Sequence, residues 1–156
     1  MSQAAVVPEA LIPETRESAS FYRRLESKLG AAPLRTDQDL ARLVEGRIPL
    51  SALESMTRHG VSSDEIYSLI VPRRTLAHRQ NRQEPLTHEE SDRAVRIARI
   101  VSLAEQVFGE DENAARWLRE PKTRFEGRTP FELLRTEAGA RLVEEMLFQI
   151  DYGFFA

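Results

Sequence analysis

SSDEIYSLIVPRRTLAHRQNR, residues 62–82, is the stretch on which the reading of the fold turns. Ser62-Ser63-Asp64-Glu65 is an S-x-x-E capping box, in which a hydroxyl and a carboxylate satisfy the free N–H groups at a helix start, and it opens a short apolar-periodic run. Val71-Pro72 closes that run, because the residue before a proline is pushed out of helical conformation, and Pro72 suits the first position of the next helix. The second helix, Pro72 to Arg82, carries Arg73, Arg74, Arg79 and Arg82 with no acid before Glu84, and Thr75, His78, Gln80 and Asn81 add hydrogen-bonding groups. Leu76 and Ala77 are expected to hold it to its domain. A short capped helix, a tight turn and a basic polar helix form the order of a helix-turn-helix, in which the second helix enters the major groove. Arginine reads guanine bidentately and asparagine or glutamine reads adenine, so Arg73, Arg74, Thr75, His78, Arg79 and Arg82 are the candidate DNA-binding residues. The plain alternative is a solvated arginine-rich face.

Upstream, Ser51-Ala52-Leu53-Glu54 reads as another capping box, with Gly60 at the joint between the two short helices. Before it, Thr15 to Leu29 places Phe21, Leu25 and Leu29 on one face and stops at Gly30, and a run from Thr36 carries Leu40, Leu43 and Val44 to Gly46. Residues 1–14 show little periodicity. Downstream, Thr87-His88-Glu89-Glu90 is a further capping box. From it Ala94, Ile97, Val101, Ala104 and Phe108 make a long stripe that ends at Gly109. Arg93, Arg96 and Arg99 are expected to extend the basic surface. Asp111 then caps a short helix through Ala114, Trp117 and Leu118, which Pro121 ends.

The last thirty residues, GRTPFELLRTEAGARLVEEMLFQIDYGFFA, begin with a T-x-x-E box at Thr129 and a proline in the first helical position. Gly139 marks a break or a close approach, after which Ala140, Val143, Leu147, Ile150 and Phe154 form one apolar stripe. Gly153 is the expected helix stop, and Tyr152, Phe154 and Phe155 put three aromatics within four positions. No segment alternates apolar and polar residues long enough for a strand, so the class is all-α.

Composition narrows the function. The 156 residues, 41% hydrophobic and 30% charged, suit a soluble globular protein, and the absence of cysteine excludes disulfides and thiolate metal sites. A cytoplasmic location is expected, with neither a secretory signal nor a membrane span. A net charge of −3 gives no global attraction to nucleic acid, so DNA binding must come from a local patch. His59, His78 and His88 fall in separate segments and form no metal-ligand spacing; no phosphate loop or nucleophile elbow is present. Neither an enzyme nor a cofactor is expected. Trp117 is expected in the core, and Arg141 is placed to pair with Glu145.

Ala115-Arg116-Trp117-Leu118, Pro121, Gly127-Arg128-Thr129-Pro130, Glu132-Leu133-Leu134, Gly139, Val143, Leu147, Ile150 and Tyr152-Gly153 together resemble the toxin-binding domain of Xre/ParS-type antitoxins, the partners of RES-domain toxins. PRRTLAHR and EESDRAVRIARIVSLAEQVFG look like the helix-turn-helix half of that family. The resemblance runs from Leu50 to Ala156 and departs from the family pattern at Lys122 and Phe125. It implies a variable helical segment over 1–49, an Xre-like helix-turn-helix domain over 50–109 and a small helical toxin-binding domain over 110–156. It implies further a non-catalytic antitoxin of a type II toxin–antitoxin system, which blocks the active site of an NAD-consuming or ADP-ribosylating RES toxin and, as a homodimer on operator DNA, represses its own operon. Glu144, Gln149, Asp151, Tyr152, Gly153, Phe154 and Phe155 are the candidate toxin-binding residues. Asp151 and a terminal carboxylate are suited to arginines that otherwise hold phosphates. A stand-alone helix-turn-helix regulator whose carboxyl-terminal unit dimerises or senses a ligand is the rival reading.

Overall fold

Capping chemistry sets most of the helix starts. In a computed structural model, which describes residues 16–153, the helices are α1 (Arg16–Leu29), α2 (Asp37–Glu45), α3 (Ser51–Arg58), α4 (Ser63–Leu69), α5 (Arg73–Arg82), α6 (His88–Phe108), α7 (Asp111–Arg119), α8 (Pro130–Leu133) and α9 (Glu137–Asp151). A 3₁₀ turn, Thr123–Phe125, precedes α8. No strand occurs among the described residues. Full capping boxes form at Thr36, Ser62, Thr87 and Thr129, each hydroxyl accepting from the N–H three residues on while the acid at that position accepts from the cap's own N–H. Two expected caps do not form. Ser51 lies inside α3, whose cap is Leu50 in helical conformation, and Asp111 is the first helical residue of α7 behind Glu110. In both places the chain enters the helix one residue early, so the side chain meant to cap is already part of the first turn.

The long helix α6 is the wall the others lean on. It packs against α1 and α2 and against α7 and α9. Ala94, Ile97, Ala98 and Ala104 have no exposure at all, so burial extends around more of α6 than one amphipathic stripe. Small alanines on a helix surface let neighbouring helices approach closely. The buried hydrophobics form one cluster from Leu25 in α1 to Leu147 in α9.

Polar ties cross this core where charge has to be buried. Lys28 of α1 and Glu105 of α6, 3% and 4% exposed, form an ion pair, and Arg24 bridges Glu105 and Asp111 at 3.2 Å each. The loop before α3 is fastened to the loop before α6. Arg47 donates through Nε to the Leu86 carbonyl at 2.8 Å, Leu86 N–H donates to Ile48 O, and Ile48 N–H donates to the Ser91 hydroxyl. At the α1–α2 joint the Tyr22 hydroxyl donates to Asp37. Burial, followed by the charge of Asp37, pushes the Tyr22 pKa up to about 12.

Gly139 proves to be a close approach and not a break. It lies inside the first turn of α9, where a Cβ would stand 2.0 Å from the Leu133 carbonyl oxygen. Only a residue without a side chain lets α9 start this close to the end of α8. The helix stops as expected, with Gly153 at φ +70° just beyond its last turn.

Candidate functional site

Two surfaces stand out, one on α5 and one on α9. α4 and α5 are joined by Ile70, Val71 and Pro72, with Ile70 and Val71 buried and the Val71 N–H donating to Ile66 O at 3.1 Å. Leu76 is the buried residue of α5 and seats the helix. Ala77 does not help to seat it, because it faces out. Arg73, Arg74, Ala77, His78, Asn81 and Arg82 are all exposed, at the i, i+1, i+4, i+5, i+8 and i+9 spacing of one helix face. The Arg73 guanidinium lies 5.8 Å from the centre of the Tyr67 ring, which ties the start of this face to α4.

Of the candidate DNA-binding residues, the structure brings Arg73, Arg74, His78 and Arg82 to that face and leaves Thr75 half-buried at its edge. Arg79 turns the other way. Its Nη2 donates to Glu90 Oε1 at 3.0 Å, its Nε lies 3.0 Å from Glu90 Oε2, and Glu84 is 3.6 Å away. Glu90 is buried and is also the acid of the Thr87 capping box, so Arg79 joins α5 to the start of α6. Nor do the α6 arginines extend the basic surface. Arg96 bonds Asp92 and Glu137, Arg99 bonds Glu144, and Arg93 donates to the Ile70 carbonyl; their charges fasten α6 to its neighbours.

On α9 the stripe Ala140, Val143 and Leu147 is buried, with Ile150 half-buried. Away from that stripe the helix exposes Leu142 at 51%, Phe148 at 43% and Tyr152 at 71%. Asp151 and Gly153 are exposed beside Tyr152. Glu144 is held by Arg99 at 3.1 Å, and Gln149 Oε1 accepts from Arg124 at 2.6 Å. Arg141 pairs with Glu137, not with Glu145. Phe154 and Phe155 lie outside the described residues. Sequence reasoning missed Leu142 and Phe148. The signal was there, since both are large apolar residues off the buried stripe of a helix whose other face is already committed. Phe148 also borders a cleft of about 260 Å³ walled by Phe21, Arg99, Ile100, Leu103 and Glu144. Trp117 is half-buried. It packs on Phe108 with ring centres 5.6 Å apart and carries the Lys122 ammonium 5.1 Å from its centre.

A helix-turn-helix with a polar, basic outer face is thus followed by a small helical unit with exposed apolar residues. Comparison with known proteins finds the same order. Residues 39–99 match the antitoxin Xre-like helix-turn-helix domain, and residues 103–153 match the antitoxin Xre/MbcA/ParS C-terminal toxin-binding domain. Over 157 aligned residues the chain is 38% identical to Antitoxin Xre of Pseudomonas putida, covering 99% of both proteins. The chain belongs to the Xre antitoxin family. It is also 33% identical to Antitoxin Xre of Yersinia enterocolitica over 87 residues, 55% of this chain and 59% of that one. A third relative, named Prs ADP-ribosylating antitoxin, from a Sphingobium species, is 33% identical over 82 residues, covering 47% of this chain and 52% of its own.

Membership in this family points to a regulatory role for this antitoxin. Among the described residues no group of three or more His, Cys, Asp or Glu is placed to hold a metal ion, and no helix is long and apolar enough to cross a membrane. The first family match ends and the second begins inside α6, at residues 99 and 103.

Proposed function

We propose that this antitoxin blocks the active site of a RES-domain toxin that consumes NAD or transfers ADP-ribose from it, and that it represses its own operon in the cytoplasm as a homodimer on operator DNA. It catalyses nothing itself. The observation that carries the first half is the exposed apolar residues of α9, Leu142, Phe148 and Tyr152, within the stretch that matches a toxin-binding domain. Aromatic anchors set among polar neighbours are what protein partners bury at an interface. Asp151 beside Tyr152 adds a carboxylate suited to arginines in a phosphate-binding cleft. Support for the toxin's chemistry comes from the RES resemblance and from the Sphingobium relative whose name carries ADP-ribosylation.

Operator reading is assigned to the outer face of α5. Arg74, His78 and Asn81 are the base readers, Ala77 is small enough for the helix to sit deep and can meet a thymine methyl, and Arg73 and Arg82 take phosphates. Two copies would read half-sites about 34 Å apart, one turn of the duplex.

The test is co-expression with the product of the neighbouring reading frame, followed by pull-down and measurement of cellular NAD. The full chain should bind that product and preserve NAD. A chain with Phe148 and Tyr152 replaced by alanine should bind on the order of thirtyfold or more weakly, as expected when hot-spot aromatics are removed. Undiminished binding and growth rescue by that variant would falsify the assignment of the toxin surface.

A further inference from the structure

Arg119 closes α7, inside the stretch that matches the toxin-binding domain, and its side chain reaches back into the helix-turn-helix. Its Nε donates to Glu65 Oε1 at 2.8 Å and its Nη2 to Glu65 Oε2 at 3.0 Å, a bidentate fork, and Nη2 also donates to the Gly60 carbonyl at 2.9 Å. Nη1 contacts the Ala115 carbonyl at 3.3 Å, and the guanidinium stands 5.0 Å from the centre of the Phe131 ring. Glu65 is the acid of the α4 capping box: its Oε2 accepts from the Ser62 N–H at 2.8 Å while its own N–H donates to the Ser62 hydroxyl. Among the described residues, Arg119 is the side chain from another helix that bonds the polar groups at this first turn.

α4 has seven residues, too few to hold a direction by its own hydrogen bonds. Its far end passes directly into α5 through Val71 and Pro72. A tilt at the first turn of α4 is therefore handed to the helix that faces DNA. We infer that Arg119 is a positioning residue for operator binding: by gripping Glu65 and Gly60 it sets the angle of α4, and through α4 the pose of α5. This rests on the reading of the α5 face as the operator contact. The fork is a specific device, because lysine could not reproduce two parallel N–H donors together with a planar face over Phe131.

Two variants separate positioning from charge. Arg119→Ala removes the fork and one positive charge. Glu65→Gln keeps the capping box, since glutamine serves at that position, but removes the charged acceptor and makes the protein less acidic. Simple electrostatics then predicts opposite effects on DNA affinity, whereas positioning predicts loss in both. The measurement is fluorescence anisotropy of a duplex from the DNA upstream of this reading frame, titrated with the full chain across a salt series, with melting followed by circular dichroism. Each variant should bind roughly five- to tenfold more weakly while folded, the double variant should be no weaker than the worse single one, and the salt slope should match the wild type. Affinity within about twofold of wild type in both variants, additive losses, or a loss that appears only as a reduced salt slope overturns the inference. Arg74→Ala is the control for the operator reading. If it loses affinity while the Arg119 and Glu65 variants do not, the positioning role falls alone; if the wild type binds the upstream duplex no better than a scrambled one, both fall.

Discussion

Arg79 and Arg74 sit five positions apart on one helix and have different work. Arg79 is 16% exposed in its side chain and satisfies a buried carboxylate, Glu90, whereas Arg74 is open to solvent. Replacing Arg79 with alanine leaves Glu90 buried and without its cation, so unfolding free energy should fall by about 3 kcal/mol, the lower end for breaking a buried pair. Arg74→Ala should change stability by no more than about 0.5 kcal/mol and cost about 1–3 kcal/mol of operator affinity. Urea melts and anisotropy on the two proteins distinguish the roles; the reverse pattern would move Arg79 to the DNA face. Sequence could count the arginines of α5 but could not orient them. The deciding fact is a carboxylate eleven residues away on the next helix, and neither propensity nor charge runs report it.

At the scale of the element, the caps were the most legible feature. Ser62, Thr87 and Thr129 act as their S/T-x-x-E signals imply, because the donors and acceptors involved lie within four residues and need nothing from the rest of the chain. Ser51 failed for a non-local reason: Leu50 is drawn into helical conformation and packs on the core, which shifts the start by one. Two of the boxes do a second job. The acid of the α4 box takes Arg119 of α7, and the acid of the α6 box takes Arg79 of α5, so a local signal is also the socket for an arginine from another helix. Gly139 is the element-scale constraint on α9. Gly139→Ala would drive a methyl into the Leu133 backbone, which cannot swing away as a flexible side chain would. The expected cost is about 3 kcal/mol or more, read as a lowered melting midpoint. A neutral substitution would mean that α8 and α9 are less closely joined than the structure has them.

Over the whole molecule, the all-α class and the order of elements were written in the sequence, because periodicity and stop signals repeat along it. The division into units was less so. The composition shift near Gly109 suggests two helical units that share the long helix as a seam, or equally a single bundle, and α6 is buried against both halves of the protein with one core running through them. A chain ending at Gly109 would uncover the side of α6 that α7 and α9 protect and lose the cover of Leu118, Val143 and Leu147, each worth about 1.5–3 kcal/mol of burial. Such a fragment should lose cooperative melting or associate, as checked by calorimetry and sedimentation. A sharp transition at the full-length temperature would show that the first unit stands alone.

The shared helix also bears on inheritance. Where two binding modules are joined by a loose tether, recombination can exchange one and leave the other intact. Here a crossover within or beside α6 would mate two half-surfaces with no history of fitting each other. On the proposed assignments, new toxin specificity in this lineage should therefore come from point changes on the outside of α9, and new operator specificity from the outside of α5, with the wall between them passed on whole.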